Sequence, residues 1–251
     1  VLIYIKTKEP SKEFEGVGEI TSGTYGTINT GVAFGGPSAI NQDLTYRLVL
    51  RKDYSDGFRK NLFSGKSNTS KKDESTFRLK LDWDAGDKTL VKFLITQVDL
   101  DDPADIWTID GSLNTLSDRP GMDSQKTNAY GIKVFHQFDE FEFQSFTSVT
   151  KTDVVLSYDA DWGNSDSHMP YIYDYFSETL RNRDTFGQEL RFVSDSADFS
   201  SQNMTEWVVG LSFLDIKEEN LKKDDGIYGD PLDPYSPYVS QSSSSSKFSS
   251  D

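Results

Sequence analysis

From Glu74 to Asp84 the chain reads E-S-T-F-R-L-K-L-D-W-D, so that Phe77, Leu79, Leu81 and Trp83 alternate with Thr76, Arg78, Lys80, Asp82 and Asp84. Period-two alternation of this length is a β-strand with one apolar face and one charged face. The pattern returns at Leu44, Tyr46, Leu48 and Leu50 against Thr45, Arg47 and Arg51, and again at Tyr130, Ile132 and Val134. An apolar sheet face must be covered either by a second protein layer or by lipid. That alternative decides what the chain is.

The spacing predicts an all-β antiparallel meander of about nine long strands, near 13–22, 27–36, 43–58, 74–84, 88–100, 126–138, 141–158, 185–195 and 205–217. The connections fall into two sets. Turn residues mark short ones at Gly35 through Gln42, Ala85-Gly86-Asp87, Asp139-Glu140 and Asp198 through Asn203. Long polar ones cover 59–73, 101–125, 159–184 and the chain from 218 onward; only the connection around Gly23-Thr24-Tyr25-Gly26 breaks the rule. Soluble sandwiches show no such alternation, whereas outer-membrane barrels carry short turns at one end and long loops at the other. The runs 43–58 and 141–158 also exceed the five or six residues usual in soluble sheets. Phe138, Phe141 and Phe143 beside a short turn match an interfacial aromatic girdle.

Composition narrows the partners. Only 35% of the 251 residues are hydrophobic, yet 13% are aromatic. No stretch approaches the roughly 18 apolar residues of a membrane-spanning helix, but barrel strands, half facing a polar lumen, escape that test. A formal charge of −15 argues against nucleic acid as a partner. The absence of cysteine excludes disulfides and thiol chemistry. The chain opens in mid-strand at Val1-Leu2-Ile3-Tyr4-Ile5 and closes on a low-complexity serine run, Ser242–Ser246, so we expect an internal piece of something longer.

The first ten residues resemble the last plug strand of TonB-dependent outer-membrane receptors, in which an I-x-I-x-T-K-x-P segment leads into the barrel; Ile3, Ile5, Thr7, Lys8 and Pro10 fill the pattern. Further pieces resemble the siderophore-receptor-like members in order and spacing. They are Glu13-Phe14-Glu15-Gly16, Gly23-Thr24-Tyr25-Gly26, Leu44-Thr45-Tyr46-Arg47, Asp56-Gly57-Phe58, Gln188-Glu189-Leu190-Arg191-Phe192 and Trp207 through Phe213. The resemblance implies three parts: the end of a plug domain (1–10), the N-terminal part of a receptor barrel (11–239) and a Ser-rich loop or tail (240–251). It implies an outer-membrane location, energised uptake of a bulky scarce nutrient, foremost a ferric siderophore, and an energy-coupling partner of the TonB type. Large plugged barrels use about 22 strands, so we expect a fragment lacking most of the plug, the N-terminal coupling box and the C-terminal strands. A passive porin or adhesin-type barrel and a soluble carbohydrate-binding β-domain remain as alternatives.

Ligand contacts in such a barrel would fall in the long loops. Candidates are Trp107 and Arg119 in 101–125, and Tyr171, Tyr173, Tyr175 and Phe176 in 159–184, because aromatic and guanidinium groups can line a pocket for an iron complex by stacking and charge. The same residues can instead pack the loops on one another. The acidic runs Asp99, Asp101, Asp102, Asp105 and Asp159, Asp161, Asn164, Asp166 offer oxygen ligands but lack EF-hand spacing, and read as solvated loops. His136 and His168 are far apart, and no hydrolase, metalloprotease or phosphate-loop motif occurs. We therefore expect no enzyme, no resident metal and no cofactor.

Overall fold

The computed structural model describes residues 5–194 and 206–250. Among these, one antiparallel sheet holds ten strands in chain order. They are β1 (Glu15–Ser22), β2 (Ile28–Pro37), β3 (Leu44–Ser55), β5 (Lys72–Asp84), β6 (Thr89–Pro103), β8 (Met122–Gln137), β9 (Phe141–Asp159), β10 (Ile172–Ser194), β11 (Val208–Gly229) and β12 (Tyr238–Ser249). Two short segments, β4 (Lys60–Asn61) and β7 (Asn114–Thr115), form a separate parallel ladder between two loops. The described residues contain no helix.

The expected alternation is seen directly in the register. Leu48, Leu79, Ile95, Tyr130, Val149 and Phe186 lie opposite one another across six consecutive strands, and Tyr46, Leu81, Phe93 and Ile132 form the next row of the same face. Side chains one residue along point the other way: Arg47 faces Lys80, and Asp82, Lys92, Lys133, Phe146 and Glu189 make one continuous row. Phe146, an aromatic on this polar face, lies beneath the Lys133 ammonium at 5.4 Å and the Arg191 guanidinium at 5.3 Å, which supply cation–π partners. The N-terminal segment crosses the same face. Lys80 Nζ donates to the Thr7 carbonyl (3.1 Å) and to Glu9 Oε1 (2.9 Å), and Lys92 stands 3.7 Å from Glu9. Partial burial pushes the Glu9 carboxyl up, but Lys80, Lys92 and Lys133 together outweigh it and hold the group below its usual range.

No second layer covers the apolar face. Among the described residues the only buried hydrophobic side chains are Ala33 and Ala104, while Ile132 is 43% exposed and Leu211 75%. A single sheet without a core is not a sandwich, and an apolar belt of this size left bare is far from what a soluble monomer shows. The belt has an upper limit. One row past Leu48 and Val149 the same face holds Leu50 and Phe77 but then Gln97, Asn128, Lys151, Asp184 and Lys217. The row after that, Lys52, Ser75, Asp99, Lys126, Asp153, Asn182, Glu219 and Lys247, is polar throughout. Strands β9, β10 and β11, of 19, 23 and 22 residues, continue well past it.

Among the described residues the connections segregate as expected. Short turns at 38–43, 85–88 and 138–140 lie at one end; in the second, Gly86 takes φ +113° while Ala85 N–H bonds the Thr89 carbonyl at 2.8 Å. Loops 56–71, 104–121 and 160–171 lie at the other end with the shorter 23–27 and 230–237. At the short-turn end Phe138 stacks on Phe141 at 4.7 Å, and Phe192 lies 5.9 and 5.2 Å from Phe141 and Phe143. The aromatic cluster expected beside the short turn is there.

Three expectations are corrected. The segment 240–251, read as a Ser-rich loop or tail, carries β12, paired to β11 from Tyr238 to Ser249. The 159–184 loop is only 160–171, since β10 begins at Ile172, and β11 runs to Gly229 rather than ending near 217. Residues 5–10 form no strand, while Val1–Tyr4, including Ile3 of the plug-like motif, and the turn at Asp198–Asn203 lie outside the described residues.

Candidate functional site

The loop end of the sheet is built from polar residues that become buried. Loop 56–71 meets loop 104–121 through the β4–β7 ladder, with Lys60 N–H on the Leu113 carbonyl (3.3 Å) and Leu62 N–H on that of Thr115 (2.9 Å). Asn61, fully buried, donates from Nδ2 to Asp105 Oδ2 (2.8 Å) and to the Ser117 carbonyl (2.7 Å). Loop 160–171 joins through Asn164 Nδ2 to the Leu116 carbonyl (2.8 Å) and Asp118 N–H to the Gly163 carbonyl (2.9 Å). Three loops thus form one cap.

The acidic runs are solvated only in part: Asp99, Asp101 and Asp166 are exposed, but other members are buried. Asp105, Asp159 and Asp161 are 3%, 3% and 5% exposed. Asp159 Oδ1 accepts from Asp161 and Trp162 N–H (3.2 Å each), and Asp161 accepts from Gly163 N–H (2.8 Å) and Tyr175 N–H (2.7 Å). These carboxylates therefore shape turns. Burial pushes Asp105 up, opposed by Asn61, Thr115, Arg59 and Lys66. Burial pushes Asp159 up to about 6, with Asp161 adding to it and Ser117 opposing. Thr69 Oγ1, Thr115 Oγ1, Ser117 Oγ and Asp159 Oδ2 reach no partner in good hydrogen-bonding geometry, although Thr115 and Ser117 stand close enough to Asp105 and Asp159 to lower them. Among the described residues no group of three or more His, Asp or Glu side chains is arranged to hold a metal ion.

The four candidates separate onto different surfaces. Arg119 reaches the face of β10 and β11 continuous with the apolar belt. Its guanidinium pairs with Asp174 (3.2 Å) and Asp225 (2.8 Å) and lies 4.6 Å from the Phe176 ring centroid. Arg119 is a clamp holding loop 104–121 to the wall. Trp107 packs on Tyr158 at 5.1 Å and is half-buried within the cap. Tyr171 is 42% exposed at the end of loop 160–171, its N–H bonded to the His168 carbonyl at 3.0 Å.

Tyr173 lies on the polar face instead, and it has company that sequence reading missed. Tyr173 is opposite Tyr228, and Tyr228 is opposite Tyr238, so three tyrosines make one row across β10, β11 and β12. Tyr175, two residues on, brings its ring to 4.8 Å from that of Tyr173, and His168 closes to 5.1 Å from the other side. Tyr173, Tyr228 and Tyr238 are 40%, 37% and 51% exposed. The patch presents flat, half-exposed rings with phenol groups, a surface suited to stacking against a planar ligand. Its sequence signal was only the repeated Tyr at 171, 173 and 175; Tyr228 comes from the part of β11 past 217 and Tyr238 from β12, neither of which the alternation marked.

No protein-family model matches the chain, and no curated protein matches it in sequence. Solved structures do match. They include the ferric yersiniabactin uptake receptor FyuA from Yersinia pestis, with a TM-score of 0.64 at 14% identity over 96% of this chain. FpvAI, solved in complex with pyocin S2, gives 0.59 at 13% over 93%. The siderophore receptor PiuA from Acinetobacter baumannii gives 0.50 at 10% over 97%. The chain spans 36%, 30% and 47% of those three proteins. Two of the three are named as receptors, and at such identities the likeness is one of fold. The chain is built as a section of the β-barrel wall of siderophore receptors is built.

Proposed function

We propose that this chain is a section of the wall and mouth of an outer-membrane receptor that takes up a metal-loaded siderophore. The observation carrying this reading is a ten-stranded sheet whose apolar belt has no protein cover among the described residues, with the long loops of the described connections at one end. Outer-membrane lipid covers the belt, and further strands of the complete protein close the sheet, since only closed barrels and helices satisfy every backbone group in hydrocarbon. The likeness to receptors named for siderophore uptake supports the cargo. The polar face is the lumen, and the 5–14 segment held there by Lys80 and Lys92 is where a plug would enter. Uptake in the complete protein then draws on a TonB-type coupling partner. No catalytic step belongs to this reading.

Within it, Tyr173, Tyr175, Tyr228 and Tyr238 form the ligand-facing surface, since they lie on the lumen side of β10–β12 above the belt. Arg119 and Trp107 organise the loops around it. The test is made on the complete protein in detergent, titrated with ferric siderophores of catecholate and hydroxamate type. Binding of one of them is expected, weakened about tenfold by Tyr173→Ala with Tyr228→Ala, as loss of aromatic stacking commonly costs 1 kcal/mol or more. Absence of binding by every siderophore offered, with no growth defect of the deletion strain under iron limitation, would refute the function.

A further inference from the structure

We propose that the cap formed by loops 56–71, 104–121 and 160–171 is a proton-controlled closure, locked when Asp159 is neutral and loosened when it ionises. The geometry begins with position. Asp159 is the last residue of β9, beyond the apolar belt, where the loops of two other connections converge. Its carboxyl is 97% buried, and Oδ2 has no partner in good geometry. From loop 104–121, Ser117 faces it with an equally unpartnered hydroxyl, 2% exposed. From loop 160–171, Asp161 faces it as a second buried carboxylate, satisfied by the Gly163 and Tyr175 N–H groups.

The surrounding charges deepen the asymmetry. His168 Nε2 lies 3.7 Å from Asp161 Oδ1 but serves Asp161, not Asp159. Asp118 is pushed up by burial and by Asp174 and Asp161, so it adds negative field. Arg119 is committed to Asp174 and Asp225. Asp105, with Arg59 and Lys66 around it, belongs to the neighbouring Asn61 network. Among the described residues no cation pairs with Asp159. A neutral carboxyl can donate its proton from Oδ2 to Ser117 Oγ, whereas a carboxylate there is a buried charge held by two N–H groups and one hydroxyl.

The sign follows. The pKa of Asp159 in the closed cap is about 6 against 3.8 when opened, so closure is favoured fully below the lower value and loses strength as pH rises through the higher. The ratio of closed to open cap falls about tenfold between pH 5 and pH 7. This concerns the loops alone and holds whatever the protein carries.

Hydrogen exchange on the complete protein in detergent, corrected for the intrinsic pH dependence of exchange, tests it. Protection of peptides covering 104–118 and 160–168 should fall about tenfold from pH 5 to pH 7, while peptides from β3 and β5 hold constant. Asp159→Asn should keep the cap protected across that range. Ser117→Ala, which removes the hydroxyl that steadies the carboxylate, should raise the pKa of Asp159 in the closed cap and so move the midpoint of loosening to higher pH. Flat protection in the unsubstituted protein overturns the proposal, as does an unchanged slope in Asp159→Asn. Should that variant fail to assemble, the unsubstituted slope and an unmoved midpoint in Ser117→Ala decide the matter alone.

Discussion

Arg119 shows how one side chain can look like a ligand-binding group and act as a fastener. It makes two carboxylate contacts and one ring contact, all to the wall it crosses, and none to the tyrosine patch. Its side chain is 35% exposed, so screening limits each ion pair. Arg119→Ala should therefore cost about 1 kcal/mol of loop stability, mostly from the lost stack and packing, read as faster exchange at 116–121. Arg119→Lys should recover less than half, because an ammonium cannot bridge two carboxylates and stack at once. Gly121 makes a harder constraint. A Cβ there would meet the Ser157 carbonyl oxygen at 1.8 Å, and backbone cannot yield as a side chain does. Gly121→Ala should part loop 104–121 from β9 at a cost of about 2–4 kcal/mol, seen as loss of cap protection with the belt strands intact. Little of this was legible beforehand: Tyr171 and Tyr173 were marked by their repetition, but the partners of Arg119, Asp159 and Tyr173 arrive from other strands and loops, and local spacing carries no record of them.

At the scale of elements, legibility followed the belt. Strands β3, β5, β6, β8 and β9 alternate because one face of each must be apolar where it is uncovered. Above the belt that demand ends. In β10 the stretch Ile172–Asp184 and in β11 the stretch Lys217–Gly229 mix polar and apolar residues on both faces, yet their ladders continue without a break. A backbone ladder needs no particular side chains, so the strands persist where the pattern stops. β12 is the extreme case, with seven of its twelve residues serine and every one exposed, held by its pairing with β11. In an antiparallel pair alternate residues exchange hydrogen bonds with the neighbour, so one of any two consecutive residues must do so. Replacing Ser244 and Ser245 together by proline should then release β12, raising exchange in β11 from Lys217 to Tyr228 while β5 and β6 stay protected. Protection of β11 unchanged by those prolines would mean that β12 contributes nothing to the sheet.

For the whole molecule the deciding quantity is what lies against the apolar face, and adjacent residues of one strand can measure it. Val149 sits in the belt between Tyr130 and Phe186; Thr150, the next residue, points to the polar face between Ala129 and Thr185. The two share strand, neighbours along the ladder and distance from the turns, and differ only in the side they face. If hydrocarbon covers the belt, Val149→Arg places a guanidinium in it at a cost of up to about 2–4 kcal/mol, whereas Thr150→Arg enters a lumen already lined by Arg47, Lys80, Lys92 and Lys133 and costs less than about 1 kcal/mol. Folding of the complete protein into lipid vesicles, followed by urea titration, gives both values. A water-exposed face would make the two arginines equivalent, and a hidden protein layer would make both Val149→Arg and the larger Val149→Trp destructive. Lipid predicts a third pattern: Val149→Arg is costly, Val149→Trp is tolerated because no neighbouring layer limits its size, and Thr150→Arg is nearly silent.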